Sequence, residues 1–110
     1  KHMRGSDMID DGAVYGFLDE YKLRCGINER YIDLSSEVGE LGKELLKATD
    51  YGKAAFRMTA DTEQEFGDCL FSLIALSGEL GIDPASALDS ALAKYKRRFD
   101  AKGRIGSGDN

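Results

Sequence analysis

The stretch EFGDCLFSLIAL, from Glu65 to Leu76, places two acidic residues immediately before an almost unbroken apolar run. Apolar runs without charge belong in a protein core, and carboxylates seldom enter a core unpaired. A similar order of acid, apolar residue, glycine and acid occurs upstream in EVGEL, from Glu37 to Leu41. Any account of the fold has to explain why two pairs of acids lie so close to apolar segments.

Helical periodicity extends on both sides of these two motifs. Apolar residues recur three and four positions apart in four segments, which places them along one side of an α-helix. Gly26 and Gly81 are natural helix ends, and Asp83-Pro84 combines a capping residue with a proline suited to the first helical position. The sequence therefore predicts four helices, over about Met8–Cys25, Asn28–Thr49, Thr62–Gly81 and Pro84–Phe99.

The segment DYGKAAFRMTAD, from Asp50 to Asp61, separates the second and third predicted helices. It is rich in small and polar residues, so we expect a connector with room for a helical turn. We expect Asp61 or Thr62 to cap the third helix. No segment shows the strict alternation of apolar and polar residues that is typical of strands, and the predicted fold class is all-α with four helices.

The third predicted helix needs more cover than one chain easily supplies. It carries no charge from Cys69 to Gly78, and Phe71 and Leu73 lie on opposite sides of its helical wheel. A helix that is apolar nearly all round is a buried helix. We therefore expect self-association into a dimer or tetramer whose subunits share a helical core.

Composition limits the function classes. With 110 residues, 42% of them hydrophobic and 32% charged, the chain is expected to form one domain. No apolar run approaches the roughly 20 residues of a membrane span, so no membrane partner is expected. The net charge of −5 makes long nucleic acid a poor partner, because phosphate binding draws on basic surface. Cys25 and Cys69 match no metal or disulfide spacing, which favours a reducing, cytoplasmic location.

The two ends of the chain are expected to lie outside the folded domain. Residues 1–6, KHMRGS, are typical of an expression-tag remnant, and residues 103–110, GRIGSGDN, are expected to form a disordered tail. Setting the first six residues aside removes His2, the single histidine of the chain. Without it, a di-iron carboxylate bundle built from Glu-x-x-His motifs is excluded.

The two acid pairs predict a cation site. Residues three apart on a helix lie side by side, with about 5–6 Å between Cβ atoms, so Glu37 neighbours Glu40 and Glu65 neighbours Asp68. Both pairs hold the same angular relation to the apolar arc of their helix, and antiparallel packing would bring all four carboxylates to one seam. The carboxylates of such a cluster repel one another unless cations lie between them. Oxygen ligands suit Mg²⁺ or Mn²⁺. The alternative is that both pairs belong to solvated helix faces.

At these residues the sequence resembles the MazG-type, all-α nucleoside triphosphate pyrophosphohydrolases. The family pattern is Glu-Glu-x-x-Glu, a spacer, and Glu-x-x-Asp, carried on two helices of a four-helix module. Here the pattern reads SEVGE, a spacer over residues 41–64, and EFGD. The stretches GDCLF, GIDP and KYKRRF add to the resemblance, which covers about Asp33 to Phe99. It implies a MazG-like helical domain over residues 7–102.

The resemblance also implies a reaction and the residues that carry it. The reaction is hydrolysis of a nucleoside triphosphate between the α- and β-phosphates, giving a monophosphate and pyrophosphate, as in the housecleaning of non-canonical nucleotides. The implied magnesium ligands are Glu37, Glu40, Glu65 and Asp68. Glu37 is expected in addition to orient or deprotonate the attacking water. Positive charge for the distal phosphates is expected from Lys53, Arg57, Lys94, Arg97 and Arg98.

Several alternatives stay open at the level of sequence. Ser36 stands in place of the first glutamate of the motif, Gln64 in place of an acid, and Leu92 in place of an asparagine. The first departure leaves room for a non-catalytic helical oligomer that binds metal or nucleotide. A phosphoribosyl-ATP or dUTP/dCTP pyrophosphohydrolase of the same superfamily is another alternative. The basic stretch KYKRR would also suit a last helical turn, and Lys43 and Lys47 are expected to form surface ion pairs.

Overall fold

The computed structural model describes residues 8–102, and within that range the chain is all-helical with no strand. Helix α1 spans Asp11–Glu20, α2 Ile27–Ala48, α3 Ala60–Leu80 and α4 Pro84–Lys102. The predicted all-α class with four helices is confirmed. The expectations for residues 1–6 and 103–110 concern positions outside the described residues. None of the four helices combines the length and the apolar character needed to cross a membrane.

Helix α1 is shorter than its apolar periodicity predicts. Asp10 caps its start by accepting a hydrogen bond from the backbone N–H of Ala13 at 3.1 Å. The helix ends before Tyr21, and Lys22 then takes a left-handed backbone conformation with φ 55°. Gly26, the expected end of the first helix, is instead the N-cap of α2. Apolar spacing could not reveal this end, because a left-handed residue breaks a helix without changing which positions are apolar.

Helix α3 begins earlier than expected. The expectation that Asp61 or Thr62 caps it is wrong, because Thr59 is the N-cap and its hydroxyl oxygen accepts from the backbone N–H of Thr62 at 3.0 Å. Thr62 is buried, and its own hydroxyl lies 2.9 Å from that of Thr59. Two other expected boundaries are confirmed: Gly81, at φ 70°, ends α3, and Pro84 opens α4.

Helices α2 and α3 form an antiparallel hairpin, and the connector between them reverses the chain through an unusual turn. Asp50, Tyr51 and Gly52 all have positive φ, at 48°, 57° and 88°. The backbone N–H of Arg57 then donates to the carbonyl oxygen of Ala48 at 3.1 Å. This bond ties the connector to the last turn of α2. Because the two helices are antiparallel, residues earlier in α2 lie opposite residues later in α3.

Helix α1 packs across the second half of α3 at a close approach. A Cβ atom placed on Gly78 would lie 2.9 Å from Cε1 of Tyr15 and 3.2 Å from a guanidinium nitrogen of Arg24. The tyrosine ring has little freedom to move, because its hydroxyl is 2.7 Å from Oγ of Ser77 and the Arg24 guanidinium lies over its face at 5.6 Å. Glycine at position 78 therefore permits this contact.

A single copy of the chain leaves much of its apolar surface uncovered. Within residues 8–102, the buried apolar side chains are Leu18, Ile74 and Ala75, and α4 contributes no buried residue. Large apolar side chains that remain 40% to 60% exposed line the second half of α3, the α3–α4 turn and one side of α4: Leu73, Leu80, Ile82, Leu88, Leu92, Tyr95 and Phe99. We call these seven residues the α3–α4 apolar surface.

The close approach at Gly78 gives a test of the α1–α3 packing. Gly78→Ala should lower the free energy of unfolding, because overpacking costs about 1–3 kcal/mol, against the roughly 1 kcal/mol that alanine gains over glycine in a helix. Gly42→Ala is the matched control, since nothing lies within 4 Å of its Cβ position, and it should gain up to about 1 kcal/mol. Chemical denaturation at one fixed protein concentration measures both. Equal gains in the two variants would contradict the packing at Gly78.

Candidate metal centre

Three carboxylates meet between α2 and α3. Glu37 comes from the middle of α2, and Glu65 and Asp68 come from the first half of α3, three residues apart on one face. One carboxylate oxygen from each lies within 4.8 Å of the other two, and all three side chains are half-buried. The expected convergence of acids from both helices is thus observed for these three residues, which we call the carboxylate triad.

The charge of the triad is not offset by basic side chains. Among the described residues, no lysine or arginine forms an ion pair with Glu37, Glu65 or Asp68. Oxygen Oε1 of Glu65 is buried and has no hydrogen-bond partner. Burial, followed by the charges of the neighbouring acids, raises the pKa of Glu65 above its ordinary value. The ionised triad is therefore electrostatically unfavourable in the protein alone.

The donor set of the triad fits a hard divalent cation. Such ions bind carboxylate oxygens at roughly 2.0–2.6 Å, so oxygens around one ion lie about 3–5 Å apart, which is the spacing found here. The unpartnered oxygen of Glu65 supplies a buried acceptor that a cation would satisfy. Oxygen-only ligands of this kind favour Mg²⁺ or Mn²⁺ over softer metals.

The fourth predicted ligand stands apart from the triad. Glu40 is exposed on α2 and does not belong to the set of oxygens within 4.8 Å. Its charge still contributes to the raised pKa of Glu65, as does that of Glu44. Glu44 was not among the residues that the sequence analysis predicted for the site. Its spacing of four residues from Glu40 and seven from Glu37 nevertheless places all three acids on one side of α2. Its side chain is 15% exposed and pairs with Lys47 at 3.0 Å.

The predicted phosphate-binding residues lie in two separate regions. Lys53 and Arg57 are exposed on the connector, at the end of the α2–α3 hairpin. On α4, the Lys94 ammonium lies 4.7 Å from the ring centroid of Tyr95. Within the described residues, no ion pair joins the basic side chains of α4 to the predicted ligands, and this holds for Lys94, Arg97 and Arg98.

The side chains near the triad contain no evident thiolate nucleophile. Cys69 directly follows Asp68 and is half-buried with a free thiol. Burial, assisted by the charges of Glu37, Asp68 and Glu65, raises the pKa of the Cys69 thiol. The thiol form is therefore favoured, and it is a poor nucleophile.

Aromatic residues near α1 pack against each other. The rings of Phe17 and Tyr21 are 4.7 Å apart, and Phe17 meets Phe71 of α3 edge to face at 5.9 Å. Tyr31 is 61% exposed on α2. Contacts between Phe17 and Phe71 join α1 to α3, which is a packing role.

A comparison with known proteins gives one partial similarity. No protein-family model matches the chain, and no solved structure matches it. A segment of 57 residues is 44% identical to a protein of Thermotoga maritima named nucleoside triphosphate pyrophosphohydrolase/pyrophosphatase MazG. The matched segment covers 52% of this chain and 19% of that relative, so it spans less than a fifth of the relative's length.

Because the ionised form of Glu65 is unfavourable in the folded protein, we expect that removing its charge stabilises the metal-free protein. In protein free of divalent ions, Glu65→Gln should raise the melting temperature at pH 8, because it removes an ionised group that burial and neighbouring acids disfavour. Since the pKa of Glu65 is raised in the folded state, the wild type gains stability as pH falls through that pKa, and the advantage of the variant should shrink there. Added Mg²⁺ should stabilise the wild type more than the variant.

Glu63→Gln is the control for this measurement. Glu63 is exposed in the first turn of α3, where a negative charge suits the helix dipole. Its substitution should leave stability unchanged or slightly lower, and the Mg²⁺ response intact. A loss of stability in metal-free Glu65→Gln would show that the triad is not electrostatically strained.

Proposed function

We propose that this protein hydrolyses nucleoside triphosphates between the α- and β-phosphates, giving a nucleoside monophosphate and pyrophosphate in a Mg²⁺-dependent reaction. Mn²⁺ is an alternative ion, and non-canonical nucleotides are the proposed substrates. The observation that carries the proposal is the triad of Glu37, Glu65 and Asp68, whose oxygens lie within 4.8 Å of one another. The partial identity to MazG of Thermotoga maritima supports it.

The triad residues would hold the cation, with Glu40 at the exposed edge of the site as the fourth ligand. When bound, the ion would neutralise charge on the phosphate oxygens and lower the pKa of an attacking water. Phosphate cleavage of this kind depends more on positioning and charge neutralisation than on covalent chemistry. The favoured thiol form of Cys69 agrees with water as the nucleophile.

Glu37 is the proposed catalytic residue in addition to its role as a ligand. It is half-buried and faces both acids of α3 across the seam, so a water beside the α-phosphate would lie within its reach. One carboxylate oxygen could contact the cation while the other accepts a hydrogen bond, and then a proton, from that water. Lys53 and Arg57 are proposed to approach the distal phosphates from the connector, and Lys94, Arg97 and Arg98 from α4.

Two other functions are open to direct comparison. A phosphoribosyl-ATP or dUTP/dCTP pyrophosphohydrolase would use the same residues, and a substrate panel separates these activities from one another. A non-catalytic metal or nucleotide sensor is favoured by Ser36, which is exposed and stands where the family motif has glutamate. The sensor would bind Mg²⁺ and nucleotide without releasing pyrophosphate. The two free cysteines suit a cytoplasmic setting for either function.

We also propose that a second copy of the chain covers the α3–α4 apolar surface, as a dimer or as half of a tetramer. The seven large apolar side chains of this surface are each 40% to 60% exposed in one copy, and interfaces between subunits bury apolar side chains of this kind at their centre. A groove of about 580 Å³ opens along part of this surface, between α3 and the start of α4. The few buried apolar residues of one copy favour a shared core.

Pyrophosphate release from canonical and modified nucleoside triphosphates tests the activity. Wild type should release pyrophosphate with Mg²⁺ and none in excess chelator. Asp68→Asn should lower kcat/KM by roughly 100-fold or more, because the loss of one ligand weakens both metal binding and charge neutralisation. Asp89→Asn, on an exposed position of α4, should match the wild type. Undiminished turnover in chelator would remove the metal mechanism, and equal activity of the two variants would remove the ligand assignment.

Leu92→Glu tests the proposed self-association. Leu92 is 57% exposed in one copy, so glutamate should leave the helices intact while opposing burial against a partner. Light scattering should show the wild type as a dimer or tetramer at micromolar concentration and Leu92→Glu as a smaller species. Ile32→Glu is the control, since Ile32 is 64% exposed on α2, outside the α3–α4 apolar surface. A monomeric wild type would contradict the proposal.

A further inference from the structure

The carboxylate triad belongs to a longer acidic seam between α2 and α3. Glu37 lies within 4.8 Å of Glu65 and Asp68 across the two helices. On α2, Glu40 and Glu44 follow Glu37 towards the connector on the same side of the helix, and on α3 Asp61 lies about one turn before Glu65. The charges of Glu40 and Glu44 act on Glu65, and that of Asp61 acts on Lys47. Acids of both helices therefore continue from the triad towards the connector.

Lys47 supplies positive charge at the connector end of that seam. Its ammonium nitrogen lies 3.0 Å from Oε2 of Glu44, which follows Glu40 by about one turn on α2. Glu44 is 15% exposed in its side chain, whereas Lys47 is 49% exposed and open to a ligand. The hydrogen bond to Glu44, with smaller effects from Tyr51 and Asp61, raises the pKa of Lys47. Lys47 is thus a permanent cation beside the acids.

The distance from Lys47 to the triad suits a phosphate chain. Helical side chains point towards the N-terminus, and the Glu44 pair holds the ammonium at the level of residue 44. At 1.5 Å per residue, that level lies about 6 Å along α2 from Glu40 and about 10 Å from Glu37. A diphosphate group that begins at the triad and extends along the seam would therefore bring its far end to Lys47.

The connector turn leaves side chains, and not backbone amides, to receive an anion there. Tyr51 is a bulky residue at φ 57°, a conformation that L-residues adopt only at a cost. Its N–H is used internally, donating to the Leu46 carbonyl at 2.6 Å, and the N–H of Gly52 donates to the Thr49 carbonyl at 3.0 Å. The strained turn is therefore held by its own hydrogen bonds and offers no free amides to a phosphate at these positions.

We propose that Lys47 binds the pyrophosphate half of the substrate, so that the triphosphate lies along the α2–α3 seam with its γ-phosphate towards the connector. This inference rests on the proposed function and adds the direction of the substrate and the residue that binds the leaving group. The water oxygen bonds to the α-phosphorus as the bond from that phosphorus to the bridging oxygen breaks. The electron pair leaves with pyrophosphate, whose charge Lys47 offsets, and the water proton passes to Glu37.

Lys47→Gln, compared with Lys43→Gln, tests the proposal. Lys43 is the same residue type one turn away on α2, is exposed, and forms no ion pair with a described residue. Lys47→Gln should raise the inhibition constant of pyrophosphate and the KM for the triphosphate, each about tenfold, the effect of losing one charged hydrogen bond. Inhibition by the nucleoside monophosphate should not change. Lys47→Arg should restore pyrophosphate inhibition, and Lys43→Gln should resemble the wild type.

The outcomes separate this inference from the proposed function. A wild type that releases no pyrophosphate from any nucleoside triphosphate defeats the proposed function, and the inference with it. A wild type that turns over while Lys47→Gln keeps the pyrophosphate inhibition of Lys43→Gln defeats the inference alone. If Lys47→Gln and Lys43→Gln weaken pyrophosphate inhibition equally, the effect comes from the loss of any positive charge on α2, and the inference is also defeated. Weakened inhibition by the monophosphate in place of pyrophosphate would reverse the proposed direction of the substrate.

Discussion

Mutual repulsion of carboxylates between α2 and α3 is the constraint on which the rest of this structure depends. Glu37, Glu65 and Asp68 approach within 4.8 Å, one oxygen of Glu65 is buried without a partner, and its pKa is raised. A protein selected for stability alone would place apolar or neutral residues there, since uncompensated buried charge costs folding free energy. A bound divalent cation would attract all three carboxylates and so offset their mutual repulsion. The three side chains that destabilise the metal-free protein would then stabilise the metal-bound protein.

The hairpin that creates this repulsion is held by local backbone contacts at its connector. The Thr49 hydroxyl bonds within the turn, the left-handed residues from Asp50 to Gly52 reverse the chain, and Thr59 caps α3. The N–H of Arg57 then reaches back to α2. These contacts hold the connector end of the hairpin, and the triad lies further along the two helices. The connector end of the hairpin is thus maintained by backbone and hydroxyl hydrogen bonds.

The carboxylate triad and the α3–α4 apolar surface use different parts of α3. Its first half presents Glu65 and Asp68 to α2, whereas its second half packs against α1 and exposes Leu73 towards the groove beside α4. The close contact of Gly78 with Tyr15 is part of that second half. A chain with so few buried apolar residues gains little hydrophobic stabilisation by itself. Burial of the α3–α4 apolar surface against a second copy would add hydrophobic stabilisation, which would offset the free energy lost to repulsion between the carboxylates.

The sequence by itself determined the features that depend on neighbouring residues: four helices, the end of α3 at Gly81, the start of α4 at Pro84, and the acid pairs on α2 and α3. Tertiary structure decided the rest. Lys22 ends α1 early, Glu40 stays outside the triad, and Glu44 joins the seam with Lys47. Periodicity gives the side of a helix on which a residue lies, but not the register or rotation of two packed helices. Those depend on the connector turn and on contacts between side chains far apart in the chain.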